Sequence, residues 1–421
     1  MLKKFQDNLI FAKRLDEEDT LSHLRNRFHI PKDKNGNEWL YFTGNSLGLQ
    51  PKSTQEYVNQ ELKDWANLGV EGHFEAKNPW LNYHEFLTDK MAKIVGAKPV
   101  EVVVMNTLTT NLHLLMVSFY RPTKTKYKIV IESDAFPSDR YAVESQLKFH
   151  GFSGEDLIEW KPRKNEALLN IEDLEEIVAT QGDEIALLLI GGVNYYTGQF
   201  LDLKRIAEIG HSKNCIVGID FAHGAGNVQP NLHDSNVDFA AWCTYKYLNS
   251  GPGSLAGLFV HEKHSKTKDL PRFAGWWNHN KETRFNMRQP FDVMEGAEGW
   301  QLSNPPILSM AAIKASLDLF DEVGMDALRQ KSEKLTAYFE FLINTIDSDD
   351  IKIITPKNPK ERGCQLSIQL KNADKSLHKK LTENNIITDW REPDVIRCAP
   401  VPMYTSFEDV YRMVSILKDL L

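Results

Sequence analysis

The chain has 421 residues, of which 42% are hydrophobic and 26% charged, with 58 acidic against 50 basic side chains and a formal charge of −8. At about 150 residues per domain this length points to two or three units with a core large enough to fold without disulfide or metal staples. The acidic balance argues against nucleic-acid binding, which demands an extended basic footprint, yet leaves room for a small anion held by local positive groups. Cys215, Cys243, Cys364 and Cys398 form no C-x-x-C pair, so neither a zinc ribbon nor a thioredoxin-like site is expected and a reducing compartment is. The charged start has no apolar stretch like that of a signal peptide, and no run of about 18 apolar residues follows. A soluble cytoplasmic protein without a membrane partner is the expectation.

In chain order, Phe5, Leu9, Phe11, Leu15, Leu21, Leu24 and Phe28 mark an imperfect helical stripe over 3–28, expected as one or two surface helices ending before Pro31. Asn35-Gly36 reads as a turn tip, WLYF as a short strand and GNSLGLQP as a polar loop. Helical patterns follow over 52–69 and about 80–95, the latter closed by Gly96. From about 101 the texture changes. EVVVMN, YKIVIES, IALLLIGG, CIVGID and SLAGLFVH are continuous β-branched runs, as in strands covered on both faces. Helical patterns lie between most of them, which predicts an α/β domain with a mostly parallel sheet and ligands gathered beyond the carboxyl ends of its strands. After about 305 come one long helix or two in tandem, then IKIITP, CQLSIQL, a helix near 376–384, IITDWR, VIRCAP and a final helix over 406–421, which together predict a smaller α+β unit. A large domain over 51–304 is expected, with residues 1–50 and 305–421 forming the small one.

Three clusters could carry chemistry. Asp220 ends the run CIVGID, where a carboxylate either caps a helix or holds a cationic ring nitrogen or a metal. Lys246 follows an apolar run between Tyr245 and Tyr247; it is either a snorkelling surface lysine or a desolvated amine able to form a Schiff base. The two are 26 residues apart on what read as neighbouring strand ends, and an acid for a pyridinium nitrogen with a lysine for an aldehyde are the two parts of a pyridoxal-phosphate site. The third cluster is NTLTTNLHLLM, where threonines open a helix and serve either as caps or as a phosphate cradle. Next to it AFPSDRY offers Phe136 as a stacking face, and Ser138 and Asp139 as polar contacts or as the cap of helix 139–149.

Taken in order, YFTGNSLGLQP, MNTLTTNLHLLM, AFPSD, DFAHGAGN, WCTYKYLNSGPG and SNPP resemble the motif series of kynureninase, a pyridoxal-phosphate-dependent hydrolase of fold type I, the aspartate-aminotransferase type, and the resemblance runs over nearly the whole chain. It implies that Lys246 is the Schiff-base lysine, that Asp220 pairs with the pyridine nitrogen beside His223, and that Phe136 stacks on the ring. It places Leu108, Thr109, Ser138, Asp139 and Tyr245 around ring and phosphate, brings Trp276 and Asn304 from a second subunit of a homodimer, and gives Arg397 the substrate α-carboxylate. Its place next to Lys246 also makes Tyr245 the expected proton donor or relay. Ser46, His73, Ser303 and Asn304 are implied near the substrate, and His73 with Ser303-Asn304 suggests a preference for 3-hydroxykynurenine over kynurenine. One departure stands out: Gly191 occupies a place where the family often has serine, so one hydroxyl contact is missing or replaced by backbone N–H or water. An aminotransferase or a cysteine desulfurase is the nearest alternative, although Cys364 and Cys398 look structural. A catalytically dead binding protein is a further one, and a metal hydrolase built on His211, His223, His233 and Asp220 is remote because the spacing fits no zinc motif. No metal is expected.

Overall fold

The apolar runs become strands because each is buried on both faces. The computed structural model describes residues 5–287, 290–371 and 375–421; Met1–Lys4, part of the charged start, lie outside the described residues. The strands are β1 (Leu40–Tyr41), β2 (Val102–Met105), β3 (Lys128–Glu132), β4 (Leu157–Trp160), β5 (Ile185–Gly191), β6 (Ile216–Asp220), β7 (Phe239–Cys243), β8 (Ala256–Val260), β9 (Ile351–Ile353), β10 (Leu366–Leu370), β11 (Ile386–Ile387), β12 (Asp389–Arg391) and β13 (Val395–Cys398). Seven of them form one sheet in the order β2–β8–β7–β6–β5–β3–β4.

Within that sheet β4, β3, β5, β6 and β7 pair parallel, and β8 runs antiparallel to both of its neighbours. The reason is connection length. A helical crossover separates the parallel strands, whereas β7 and β8 are joined only by the loop 244–255, too short to return the chain to the same end. Val102 and Val104 face one apolar layer and Val103 and Met105 the other, as strand alternation requires. Helices Leu108–Phe119 and Pro137–Phe149 cover the second layer, while Glu85–Val95, Ile171–Gln181, Leu203–His211 and Ile307–Val323 cover the first. Each fully buried aliphatic side chain contributes about 1.5–3 kcal/mol. β4 has no continuous apolar run because it is the half-exposed edge strand, and its sequence did not announce it.

The C-terminal part forms an antiparallel sheet in the order β12–β13–β10–β9, and β1 joins β11 in a two-stranded parallel pair. Its core collects Phe11, Leu15, Phe42, Phe339, Ile368 and Phe407, so the N-terminal helix Leu9–Glu17 packs here instead of lying bare on the surface. The tandem helices Ile307–Val323 and Met325–Ile343 are separated at Gly324, whose φ of +79° ends the first. The earlier of the two packs in the core of the large sheet. All four cysteines are free and buried. No helix among the described residues is long and apolar enough to cross a membrane.

The carboxyl ends of β2, β3, β5, β6 and β7 open into one crevice. β3 has its chain successor β4 on one side and β5 on the other, which is the kind of order reversal where a parallel sheet leaves room for a ligand.

Candidate active site

A cavity of about 530 Å³ occupies that crevice, of the size that holds a cofactor or drug-sized ligand. Lys246 enters it from the tight loop between β7 and β8. Asn249 N–H donates to the Lys246 carbonyl at 3.0 Å, Ser250 N–H to the Thr244 carbonyl at 3.2 Å, and the Thr244 hydroxyl to the Leu255 carbonyl. Gly251 and Gly253, with φ of +94° and +67°, make the left-handed turns that close this loop. Lys246 is half-buried, and its Nζ donates to His223 Nε2 at 3.0 Å. Burial, aided by the Lys246 charge, holds His223 well below its ordinary value, so its imidazole is neutral and accepts from the lysine.

Asp220 ends β6 and Ala241 sits opposite it on β7, so the strand tips that carry the acid and the lysine are neighbours. No helix begins directly after Asp220. Its Oδ1 instead accepts Ala222 N–H at 2.7 Å, steadying the turn to His223. Two more buried carboxyls crowd this end. Burial, then the charge of Asp220, pushes Asp139 well above the usual carboxylate range, and its Oδ1 is buried without a partner. Burial likewise pushes Glu132 up to about 7, opposed by Gly191 N–H, which donates to Glu132 Oε1 at 2.9 Å. That bond corrects one expectation: the Gly191 N–H is engaged by Glu132 and does not stand in for a missing hydroxyl.

On the opposite wall, Asn106 (φ +46°) turns the chain out of β2 into helix Leu108–Phe119. Thr107 sits at its N-cap without a side-chain capping bond, so the first N–H groups face the cavity uncapped. The Thr109 and Ser138 hydroxyls lie 2.7 Å apart at the same place. Helix Pro137–Phe149 is likewise uncapped by side chains, so Ser138 and Asp139 do not serve as its cap. Phe136 stands between, its ring 6.0 Å from Lys246 Nζ and edge-on to Tyr195 at 5.3 Å. Uncapped helix N–H groups and hydroxyls for a phosphate, an aromatic face for a ring, a buried acid pair for a ring nitrogen and an amine for an aldehyde all line one cavity. These residues fit pyridoxal phosphate.

The smaller sheet closes the cavity. Arg397 on β13 is 1% exposed; its Nη1 donates to the Tyr195 carbonyl at 2.6 Å and its Nη2 to Asp389 Oδ2, which also accepts from Arg391 at 3.1 Å. Arg397 Nε is buried without a partner. Its ion pair is therefore interior and not the surface salt bridge that a lone arginine more often makes.

The cavity lining unites Ser46, Leu108, Thr109, Phe136, Ser138, Asp139, Asp220, His223, Tyr245, Lys246 and Arg397. It does not include His73, Trp276, Ser303 or Asn304 of the same chain. His73 bonds the Val70 carbonyl through Nδ1 at 2.9 Å, Trp276 is 40% exposed, and Ser303 and Asn304 face solvent. The residues for a metal hydrolase are scattered: His211 pairs with Asp238 and His233 with Glu101, away from Asp220. Burial pushes the Cys364 thiol up to about 12, so it is no exposed nucleophile.

Sequence reading missed Glu132, Asn194, Tyr195 and Arg391, all of which line the cavity. Glu132 carried the same signal as Asp220, an acid ending an apolar run. Asn194 and Tyr195 lie just beyond the run that ends at Gly191. Arg391 had no local signal, since only the pairing of Asp389 with Arg397 across β12 and β13 brings it inward.

A family model described as "Kynureninase C-terminal domain" matches residues 328–417. A kynureninase of Myxococcus xanthus is 55% identical over 415 residues, 98% of this chain and 97% of its own. One from Flavobacterium psychrophilum is 55% identical with 98% of each chain covered, and one from Mus musculus 46% identical over 97% of this chain and 92% of its own. Among solved structures, a cysteine desulfurase of Thermococcus onnurineus superposes with a TM-score of 0.75 at 19% identity, covering 93% of this chain and 98% of that one. The desulfurase CsdA of Escherichia coli gives 0.77 at 16%, with 95% and 98% covered. At such identities these two speak for the fold alone, a fold type I α/β domain with its smaller companion. About half of the residues are shared with kynureninases from end to end, and one cavity holds Lys246, Asp220, His223 and Phe136 from that motif series together with Arg397: this chain belongs to the kynureninase family.

Proposed function

We propose that the enzyme uses pyridoxal 5′-phosphate to hydrolyse L-kynurenine or its 3-hydroxy form between Cβ and Cγ, releasing an anthranilate and L-alanine. The observation that carries this reading is the meeting of Asp220, at the tip of β6, and Lys246, in the loop after the adjacent β7, in one cavity that Arg397 closes from the smaller sheet.

Bound there, pyridoxal phosphate supplies an aldehyde that captures amines and a protonated ring that withdraws electrons. Asp220 would hold the proton on the ring nitrogen, with Asp139 beside it. Thr109, Ser138 and the free N–H groups of helix Leu108–Phe119 would hold the phosphate, and Phe136 would offer its face to the ring. Arg397 orients the substrate through its α-carboxylate, for which its planar fork of donors is suited. Lys246 Nζ, steered by His223, moves the proton at the substrate Cα. Tyr245, whose hydroxyl burial keeps protonated, gives a proton to the reacting γ-carbonyl as water adds there.

Trp276, Ser303 and Asn304 belong to the same proposal as groups that a second copy of the chain contributes, making the enzyme a homodimer with shared sites. Their exposure away from their own cavity supports this. The division into a large unit over 51–304 and a small one from 1–50 and 305–421, with helix Ile307–Val323 of the latter segment packed on the large sheet, and a reducing cytoplasmic setting suited to four free thiols, complete the proposal.

The test is direct. Purified protein should be yellow and should convert L-kynurenine to equimolar anthranilate and alanine with no keto acid present. Turnover that requires a keto acid would mark an aminotransferase, and sulfide released from cysteine a desulfurase. A colourless protein that takes up no pyridoxal phosphate would mark a binding protein.

A further inference from the structure

Glu132, Gly191 and Asp220 sit at the tips of three adjacent strands, β3, β5 and β6, with Gly191 directly opposite Asp220. Glu132 is 4% exposed, lines the cavity and binds Gly191 N–H through Oε1. A side chain at 191 would collide with Glu132 in its present position, because a Cβ there would lie 2.5 Å from that same oxygen. The glycine and the glutamate are thus one feature: the carboxyl occupies the place that the Cβ of a side chain at 191 would need.

We propose that Glu132 is a positioning residue for the ring-nitrogen end of the cofactor site, its carboxyl replacing a side chain at 191 and setting the charge balance of Asp220 and Asp139. This role rests on the pyridoxal-phosphate reading above. Three buried carboxyls at one end of a cavity cannot all ionise together, so one must carry its proton for another to stay charged. The titratable groups facing this end are Asp220 at the tip of β6, Asp139 on helix Pro137–Phe149, Lys246 after β7 and His223 beside it; Asp220 and Glu132 raise Asp139, and Lys246 lowers it. Burial raises Glu132 to about 7. Below that pH it is a neutral acid, able to donate as a serine hydroxyl does. Above it, Glu132 brings a negative charge to this end of the cavity.

The experiment compares the wild-type holoenzyme with Glu132→Gln, Gly191→Ser and the double variant Glu132→Ala/Gly191→Ser. It reads the absorption of bound pyridoxal phosphate against pH and its dissociation constant. The wild type should show a spectral step near pH 7 that Glu132→Gln lacks, its spectrum staying in the low-pH form. Gly191→Ser should weaken cofactor binding by about tenfold, and adding Glu132→Ala should restore it to within about threefold. A step unchanged in Glu132→Gln, or a Gly191→Ser loss that Glu132→Ala does not relieve, overturns the role of Glu132 while leaving the cofactor reading intact. Wild-type protein that binds no pyridoxal phosphate overturns both. If Glu132→Gln does not fold, relief of Gly191→Ser by Glu132→Ala decides the matter.

Discussion

Lys246 Nζ lies 3.0 Å from His223 Nε2, near the start of the loop that leaves β7, whose neighbouring strand β6 ends in Asp220. The imidazole is neutral and can only accept from the lysine, so it aims the amine without competing for protons. Lys246→Ala should lower turnover at least about 10³-fold, the scale of losing a general base, and should remove the cofactor's visible absorption. Stopped assays and a spectrum check both, and a fully active variant would refute the assignment.

Arg397 is fixed by Asp389 on one side and the Tyr195 carbonyl on the other. Arg397→Lys keeps the charge but loses the planar fork. A loss of about 1.5–3 kcal/mol, or roughly ten- to a hundredfold in kcat/KM, is expected, carried mainly by KM. Steady-state kinetics with L-kynurenine would show it. An unchanged KM would mean that another group, Arg391 foremost, grips the carboxylate.

If the site is shared between subunits, two dead variants should repair each other. Mixing Lys246→Ala with Asn304→Ala by co-refolding yields mixed dimers in which one of the two sites has both residues. With random pairing half of the dimers are mixed, so about a quarter of the sites should work. Activity that stays at the level of the separate variants would place Asn304 outside the partner's site.

In direct competition, 3-hydroxykynurenine should show the higher kcat/KM, and, if a second copy of the chain brings His73 to the substrate ring, His73→Phe should narrow the ratio by roughly tenfold, the scale of one lost hydrogen bond to a substrate hydroxyl. Equal or reversed values in the unmodified enzyme would remove His73 from the specificity argument.

Asp238 provides a prediction about stability. Burial alone would raise its carboxyl, but His211 at 2.9 Å, His264 at 2.7 Å, Lys263 at 2.9 Å and the Val217 N–H at 2.7 Å hold it well below the usual range. A depressed folded pKa contributes stability above the unfolded value near 3.9 and loses it as pH falls through the folded one. At neutral pH, Asp238→Asn should cost about 2–3 kcal/mol, and the gap to the wild type should shrink below about pH 4. Urea midpoints across that range test the sign.

Most of this was legible in the residues themselves. Strands such as Leu187–Ile190 and Val102–Met105 announced themselves because burial on both faces demands unbroken apolar runs, and Asp220 and Lys246 stood out as ionisable groups ending such runs. Local composition thus determined the α/β class, the parallel sheet and the acid–amine pair. Only the tertiary structure decided what depends on register and on distant segments. The half-exposed edge strand Leu157–Trp160 had no apolar run to read. Arg391 enters the site only because β12 pairs with β13, and Gly191 makes sense only beside Glu132, 59 residues earlier in the chain. Such neighbours are set by strand pairing and steric exclusion across the sheet, and neither quantity is carried by any short stretch of sequence.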